Sequence, residues 1–287
     1  MVTELRIATR LSALALAQAH RVAHLLAVAH PRLSIELVEV TTEGDRDRDG
    51  PIAELTEMGA FVRAVQEAVI EGRADLAVHS LKDLPVVGPE DLVLAALPER
   101  GSPFDVLVGS TLGDLRQGAV VGTGSPRRAA QLNQLRPDLR TVELRGNVDT
   151  RLKKVAGREV DAAILAEAGI ARLGKLERIA QRFDATAMVP APGQGALAIE
   201  ARAGSGAASL AAAIDDDSLR TLLAAERLLL AETGAGCRSA LGALATWAEG
   251  MIRLEAFVAD DLGPRRVTAF GETPEAVVAE VRKGLEL

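Results

Sequence analysis

The chain has 287 residues, a length that favours two or three domains over a single hydrophobic core. Its formal net charge of −7 argues against bulk nucleic-acid binding, and aromatic residues make up only 2% of it, so Ala, Leu and Val must form the cores. The only cysteine, Cys237, excludes an internal disulfide framework and a cysteine-based metal cluster.

The sequence contains no clear targeting segment and no clear set of metal ligands. The sequence contains no uncharged apolar run of about eighteen residues, and residues 1–6 lack the charged-then-apolar order of a signal peptide. We therefore expect a soluble, cytoplasmic protein with no membrane partner. His20 and His24 would share one helix face, but no third ligand accompanies them, so we expect no metal site.

The first hundred residues predict an α/β unit. Ser12 is a fitting N-cap for a long Ala/Leu helix that ends before Pro31, and residues 43–51, without apolar periodicity, predict a mobile exposed loop. The other predicted elements are strands at 5–8, 35–40, 76–78 and 92–97 and a helix at 61–70. The order β-α-β-α-β-β indicates a parallel or mixed sheet with helices on its faces.

An ionisable group, including Lys82 and Asp83, follows the apolar strand predicted at 76–78. Chemistry in open α/β sheets collects at the carboxyl ends of strands, so these are candidate site residues. Asp83 is the candidate catalytic carboxylate, able to stabilise a developing cation and to transfer a proton. The alternative is that both residues are solvated loop charges.

A second α/β unit is predicted between crossings at 101–103 and 190–195. Its strands are predicted at 106–108, 119–121, 141–144 and 162–165, and its helices at 127–135, 148–155 and 167–173. A strand at 196–200 would return to the first sheet. Two crossings between two lobes predict a hinged cleft, the geometry of a ligand clamp.

The remaining residues predict a small α+β domain, with a helix at 219–231, strands near 244–248, 252–258 and 267–270, and a last helix capped by Thr273. The predicted domains are 1–97 plus 196–214, then 98–195, then 215–287.

Positive charge concentrates in the second lobe. Residues 116–182 hold fourteen Lys or Arg against seven Asp or Glu, which suits a compact polyanion. Residues 121–128 predict a strand, a small-residue turn and the start of a helix. This arrangement would direct backbone N–H groups, hydroxyls and the guanidiniums of Arg127 and Arg128 at an anion. The same placement of arginines near strand ends recurs at Arg145, at Arg151 on the helix that follows, and at Arg172 beyond the fourth strand of this lobe. The alternatives are an ordinary capped helix and solvated surface arginines.

Cys237 lies between Gly236 and Arg238 in a predicted exposed loop. The glycine context and nearby arginines favour a reactive thiolate over a buried inert thiol.

Together these motifs resemble the porphobilinogen deaminase (hydroxymethylbilane synthase) family, in the family's order and over nearly the whole chain. The matching blocks are 6–10 with Ser12 and 14–16, 77–85, 121–123 with Ser125 and 127–128, 144–148 with 150–152, 192–195, and 236–237.

The resemblance implies an α/β enzyme with two hinged, periplasmic-binding-protein-like lobes that contain mixed sheets, plus the small third domain. It implies a monomer that acts on the small molecule porphobilinogen. Cys237 would carry a dipyrromethane cofactor through a thioether, Asp83 would be catalytic, and Phe61 would lie against a pyrrole. Gln194 and Gly195 would belong to the hinge and cleft. The residues implied to bind acetate and propionate groups are Arg10, Ser12, Lys82, Thr123, Ser125, Arg127, Arg128, Arg145, Gly146, Arg151 and Arg172.

The implied chemistry is the loss of ammonia from porphobilinogen, attack on the resulting azafulvene by the terminal pyrrole of the chain, and hydrolytic release of the linear tetrapyrrole after four additions. Every ring adds two carboxylates, which accounts for a positive lobe in an acidic protein.

The sequence departs from the family pattern at Glu54 and Met58, where many members have lysines, at Gly124 and Pro126, and at 238–241. Two alternatives to the enzyme remain, and only the second is prompted by Glu54 and Met58. One is a non-catalytic hinged anion-binding protein, and the other is a degenerate paralogue that loads the cofactor but elongates poorly.

Overall fold

The structure is a computed structural model that describes residues 4–40, 57–234 and 240–287, with the side chains of 57–61 left out. The chain divides into two compact units. The first contains Met1–Arg100 and Ala196–Leu219, and the second contains Gly101–Gly195 and Arg220–Leu287. The finer division into three domains stays a prediction.

The first unit contains a mixed sheet of five strands within the described residues. The elements are β1 (Glu4–Arg10), α1 (Ala13–Ala29), β2 (Ser34–Val40), α2 (Glu57–Ile70), β3 (Leu76–Ser80), a 3₁₀ turn (Leu81–Asp83), β4 (Leu92–Ala96), β10 (Leu197–Arg202), α6 (Gly206–Ala211) and a 3₁₀ turn (Ala212–Ile214). The strand order is β2-β1-β3-β10-β4, with β1 parallel to β2 and β3, and β10 antiparallel to β3 and β4. The predicted return of the chain to the first sheet after the second crossing is therefore confirmed.

Helices cover both faces of this sheet. Successive residues of a strand point to opposite faces, so Ile7 packs in the cluster that includes Leu26 of α1, whereas Ala8 packs in the cluster that includes Val65 and Val69 of α2. This two-sided burial explains why β1 and β3 are apolar along their centres.

The second unit contains another five-stranded sheet among its described residues. The elements are β5 (Asp105–Val108), β6 (Val120–Gly122), α3 (Pro126–Leu135), β7 (Arg140–Val142), α4 (Val148–Ala156), β8 (Ala162–Ala166), α5 (Glu167–Arg172), a 3₁₀ turn (Leu176–Arg178) and β9 (Ile179–Arg182). The strand order is β7-β6-β8-β5-β9. Strand β6 is parallel to β7 and β8, and β5 is antiparallel to β8 and β9, so the pairing pattern repeats that of the first sheet.

The C-terminal part forms an antiparallel meander, β11 (Ala240–Ala248), β12 (Met251–Asp260) and β13 (Gly263–Gly271). One face packs against α7 (Asp217–Glu232) and α8 (Pro274–Leu285), with buried Leu229, Leu254 and Val281 between them. The predicted fold class, two mixed α/β lobes and a small α+β part, is confirmed.

Some elements differ from the sequence-based expectation. The strand predicted at 141–144 ends at Val142, and the buried Leu144 packs on Gly122 outside any strand. Strand β9 and helix α6 were not predicted. The sequence of β9, IAQR, is half polar because the strand lies at a sheet edge, which weakens its apolar signal.

Among the described residues, no helix combines the length and apolar character needed to cross a bilayer.

Candidate functional site

In the first unit, the predicted site residues lie at one edge of the sheet. Strands β1 and β3 are parallel neighbours, so their carboxyl ends meet at the same edge. Strand β1 ends at Arg10 and is followed by Ser12, while β3 leads into the 3₁₀ turn that contains Lys82 and Asp83. Ser12 caps α1, because its side chain accepts a hydrogen bond from the backbone N–H of Ala15.

The turn that carries Asp83 is fixed by hydrogen bonds. The N–H of Leu81 donates to the carbonyl of Ala196 at 3.0 Å, and the N–H of Leu84 donates back to Leu81 at 3.1 Å. From α1, the buried Gln18 donates to Oγ of Ser80 at 2.7 Å. The half-buried Asp83 therefore lies in a turn that is linked to α1 through the side chain of Ser80 and to Ala196, the residue before β10.

In the second unit, the loop between β6 and α3 has the features of an anion site. The buried Thr123 accepts a hydrogen bond from the N–H of Ser125 at 3.2 Å. Ser125 is the N-cap of α3, and Pro126 takes the first helical position. An open pocket lies over this loop, lined by residues 123–126, Ala129 and residues 141–143. The N–H of Arg128 donates to Oγ of Ser125, so the hydroxyl of Ser125 is left as a donor that suits a carboxylate.

Arg145 and Gly146 belong to the loop after β7, which emerges at the same sheet edge because β6 and β7 are parallel. Arg145 is exposed and forms an ion pair with Glu143, with 2.9 Å between Nε and Oε1. Gly146 has a φ of +108°, and a Cβ there would lie 2.7 Å from Cγ2 of Thr150. Only glycine fits this turn. Arg151, half-buried, is on α4, the helix that follows.

Arg127 and Arg128 are placed differently from the expectation of guanidiniums facing an anion. Their side chains are only 3% and 7% exposed, and both pair with the fully buried carboxylate of Asp105 at 2.7 Å. Arg127 also donates to the carbonyl of Val189, and Arg128 donates to the carbonyl of Ile164. Within the structure these two arginines hold the second lobe together, and carboxylate binding by them stays a prediction.

The ionisation of Asp105 follows from this pairing. Burial alone would raise its pKa, but the positive charges of Arg127 and Arg128 outweigh burial and hold the pKa far below the ordinary value. Asp105 is therefore an anion at every physiological pH. One carboxylate facing two guanidiniums leaves the cluster with an excess positive charge.

The crossing residues are hydrogen-bonded to one another. Gln194 is fully buried and donates to the carbonyl of Pro103 at 2.7 Å and to Asp105 at 3.0 Å. Gly195 has a φ of +88°, and a Cβ there would lie 2.6 Å from the carbonyl oxygen of Gly101. Arg172 donates to the carbonyl of Gly195 at 2.6 Å. Their predicted role in a hinge and cleft stays a prediction.

Three expectations lie outside the described residues: the mobile loop at 43–51, the contact of the Phe61 side chain with a pyrrole, and the attachment of a cofactor to Cys237. The described residues contain no group of three or more His, Cys, Asp or Glu side chains that is placed to hold a metal ion.

Sequence reasoning missed four carboxylates that are buried among the described residues: Asp105, Glu200, Glu226 and Glu255. Glu226 accepts hydrogen bonds from the N–H groups of Gly193 at 2.7 Å and Ala245 at 2.9 Å, which joins α7 to the second crossing segment and to β11. Asp105 begins the apolar strand β5 and Glu200 interrupts an apolar run in β10, and this pattern could have identified both. Helix α7 and strand β12 contain other charged residues, so Glu226 and Glu255 had no such signal.

Sequence comparison matches the chain to one protein family. Residues 5–209 match the family described as "Porphobilinogen deaminase, dipyromethane cofactor binding domain". The chain is 46% identical over 274 residues to a porphobilinogen deaminase of Acidothermus cellulolyticus, covering 93% of this chain and 81% of the relative. It is 45% identical over 296 residues to that of Thermobifida fusca, covering 99% and 92%. Among solved structures, the methionine-binding protein MetQ matches with a TM-score of 0.48 and 13% identity, covering 75% of this chain and 91% of that one.

Proposed function

Since the chain belongs to the porphobilinogen deaminase family, we propose that Asp83 is its catalytic carboxylate and that the two carboxyl-end sheet edges bind the acidic side chains of cofactor and product. The enzyme is a transferase that deaminates porphobilinogen and joins four molecules head to tail on a dipyrromethane cofactor. Hydrolysis then releases hydroxymethylbilane.

The placement of Asp83 carries this proposal. Its turn follows a buried strand, and hydrogen bonds link it to Gln18 of α1 and to Ala196, the residue before β10. A carboxylate held in advance at one position stabilises a developing positive charge without reorganisation during the reaction. Asp83 would accept hydrogen bonds from the pyrrole N–H groups. Its negative charge would offset the positive charge that appears as ammonia leaves and as the new bond forms.

The residues of the second unit fit a tetracarboxylate cofactor. The Ser125 cap offers a hydroxyl, and Arg145 offers an exposed guanidinium at the same sheet edge. Bound through Cys237, the dipyrromethane would supply the nucleophilic α-carbon to which new rings are added. Arg145, Arg151 and Arg172 would neutralise carboxylates as the chain grows, with Arg10 and Lys82 doing so in the first unit.

The test is bilane formation from porphobilinogen by wild type, Asp83→Asn and the control Asp91→Asn, an exposed aspartate of the same unit. Asp83→Asn should retain the cofactor and lose on the order of a hundredfold or more in turnover, while Asp91→Asn should match wild type. A wild-type protein that binds porphobilinogen without turnover would support the anion-binding alternative. Full activity in Asp83→Asn would remove this residue from the mechanism. We also propose that the enzyme is a monomer that needs neither nucleic acid nor a membrane. Light scattering of the active enzyme checks its oligomeric state.

A further inference from the structure

A buried polar trio lies directly behind the Asp83 turn. Nε2 of His79 lies 3.1 Å from Oε2 of Glu200, a close polar contact whose angles are outside the range of a hydrogen bond, and the two side chains are only 5% and 9% exposed. The amide of Gln66 on α2 donates to both carboxylate oxygens, at 3.1 and 2.9 Å. The mechanism above uses none of these three side chains.

The sheet register places the trio on one face. Glu200 on β10 lies opposite Ala77 on β3, and Ala198 lies opposite His79, so Glu200 and His79 are diagonal neighbours. Ala77 packs with Val65 of α2. The trio therefore joins β3, β10 and α2 in a layer that otherwise contains aliphatic side chains.

Register matters at this position because β10 is irregular there. Its pairing with β4 shifts between Ile199 and Glu200, so on that side the register before Glu200 differs from the register after it. On the other side, the same register brings the carbonyl of Ala196 to the N–H of Leu81, the hydrogen bond that anchors the Asp83 turn. A slip of β10 against β3 would break that hydrogen bond.

On this basis, and resting on the catalytic role given to Asp83 above, we propose that Glu200 and His79 are positioning residues. Their contact locks β10 against β3 and thereby sets the backbone of the Asp83 turn. A buried polar contact of this kind favours one arrangement of the strands over alternatives that apolar side chains would tolerate.

The experiment compares Glu200→Gln, His79→Leu and His79→Gln with the control Val65→Ala, which removes buried volume from the same layer without touching the trio. All are purified as holoenzymes, and the added mass of the cofactor, the thermal midpoint, kcat and KM for porphobilinogen are measured. His79→Leu and Glu200→Gln should keep the cofactor and lose about tenfold to a hundredfold in kcat. Their KM should stay within about twofold of wild type, because the change affects the reacting geometry rather than binding. His79→Gln, whose amide can donate to Glu200, should recover most of the loss.

Hydrogen exchange gives a readout independent of activity. The peptide that spans Ser80–Leu84 should exchange faster in His79→Leu and Glu200→Gln than in wild type and Val65→Ala. Unchanged kcat with unchanged exchange in both variants would overturn the inference, as would a loss of kcat in Val65→Ala equal to theirs at a matched thermal midpoint. If wild type made no bilane, the proposed function would fail, and the exchange result would still decide whether the trio holds the turn.

Discussion

The carboxylate of Asp105 lies 2.7 Å from the guanidinium of Arg127, and the pair is buried at the start of a core strand. Arg128 and Gln194 contact the same carboxylate. Asp105 therefore binds side chains from α3, the helix after the anion loop, and from the second crossing segment. The positions of these elements depend on one buried charge.

Asp105→Asn should destabilise the protein strongly. The variant leaves two buried guanidiniums without a counter-charge, a change that costs about 3–5 kcal/mol. Urea unfolding of wild type and variant measures it. Because its neighbours depress the pKa of Asp105 in the folded state, the carboxylate's contribution is present above the unfolded value of roughly 3.9 and is lost as pH falls below it. Wild type should therefore lose stability in acid more steeply than Asp105→Asn. Equal unfolding free energies at pH 7 would contradict the structural role of the pair.

Arg145→Leu should impair chain growth without lowering stability, whereas Arg127→Leu should lower stability. The exposed pair between Arg145 and Glu143 contributes about 0–1 kcal/mol, so Arg145→Leu should unfold like wild type but accumulate enzyme-bound chains of intermediate length. Arg127→Leu should be destabilised, because it leaves Asp105 with one guanidinium fewer. Denaturant unfolding and intact mass spectrometry after addition of porphobilinogen report the two effects. An Arg127→Leu protein as stable as wild type would show that its buried pairing contributes nothing.

The sequence predicted the strands and helices of both units well where the apolar pattern was strong, as in β3 and α1. The site residues at strand ends were predicted because parallel strands place their carboxyl ends at one edge. The burial of Arg127 and Arg128 was not predictable, because the sequence does not show that Asp105, more than twenty residues away, faces the same helix. Glu200 was missed for the same reason, since its partners come from β3 and α2.

Glu226→Gln should loosen the attachment of α7. A glutamine can accept only one of the two N–H donors, Gly193 and Ala245, and the unmet backbone group costs roughly 1–3 kcal/mol. The control is Glu232→Gln on the same helix, whose ion pair with Arg282 is partly exposed and contributes little. Thermal and urea unfolding should separate the two variants. Equal stabilities would mean that the contacts of Glu226 do not hold the helix.

Cys237→Ser should abolish both the cofactor and the activity. Cys237 is the only thiol in the chain and hence the only residue able to form a thioether. Wild type purified from its producing cell should exceed the sequence mass by one dipyrromethane and show no free thiol when denatured. Cys237→Ser should have the sequence mass, remain folded and make no bilane. The neighbouring Ser239→Ala, which keeps the thiol, should carry the added mass. Full bilane synthesis by an unmodified chain whose Cys237 is freely alkylated would exclude the thioether, because growth of the product would then need no covalent attachment to this residue.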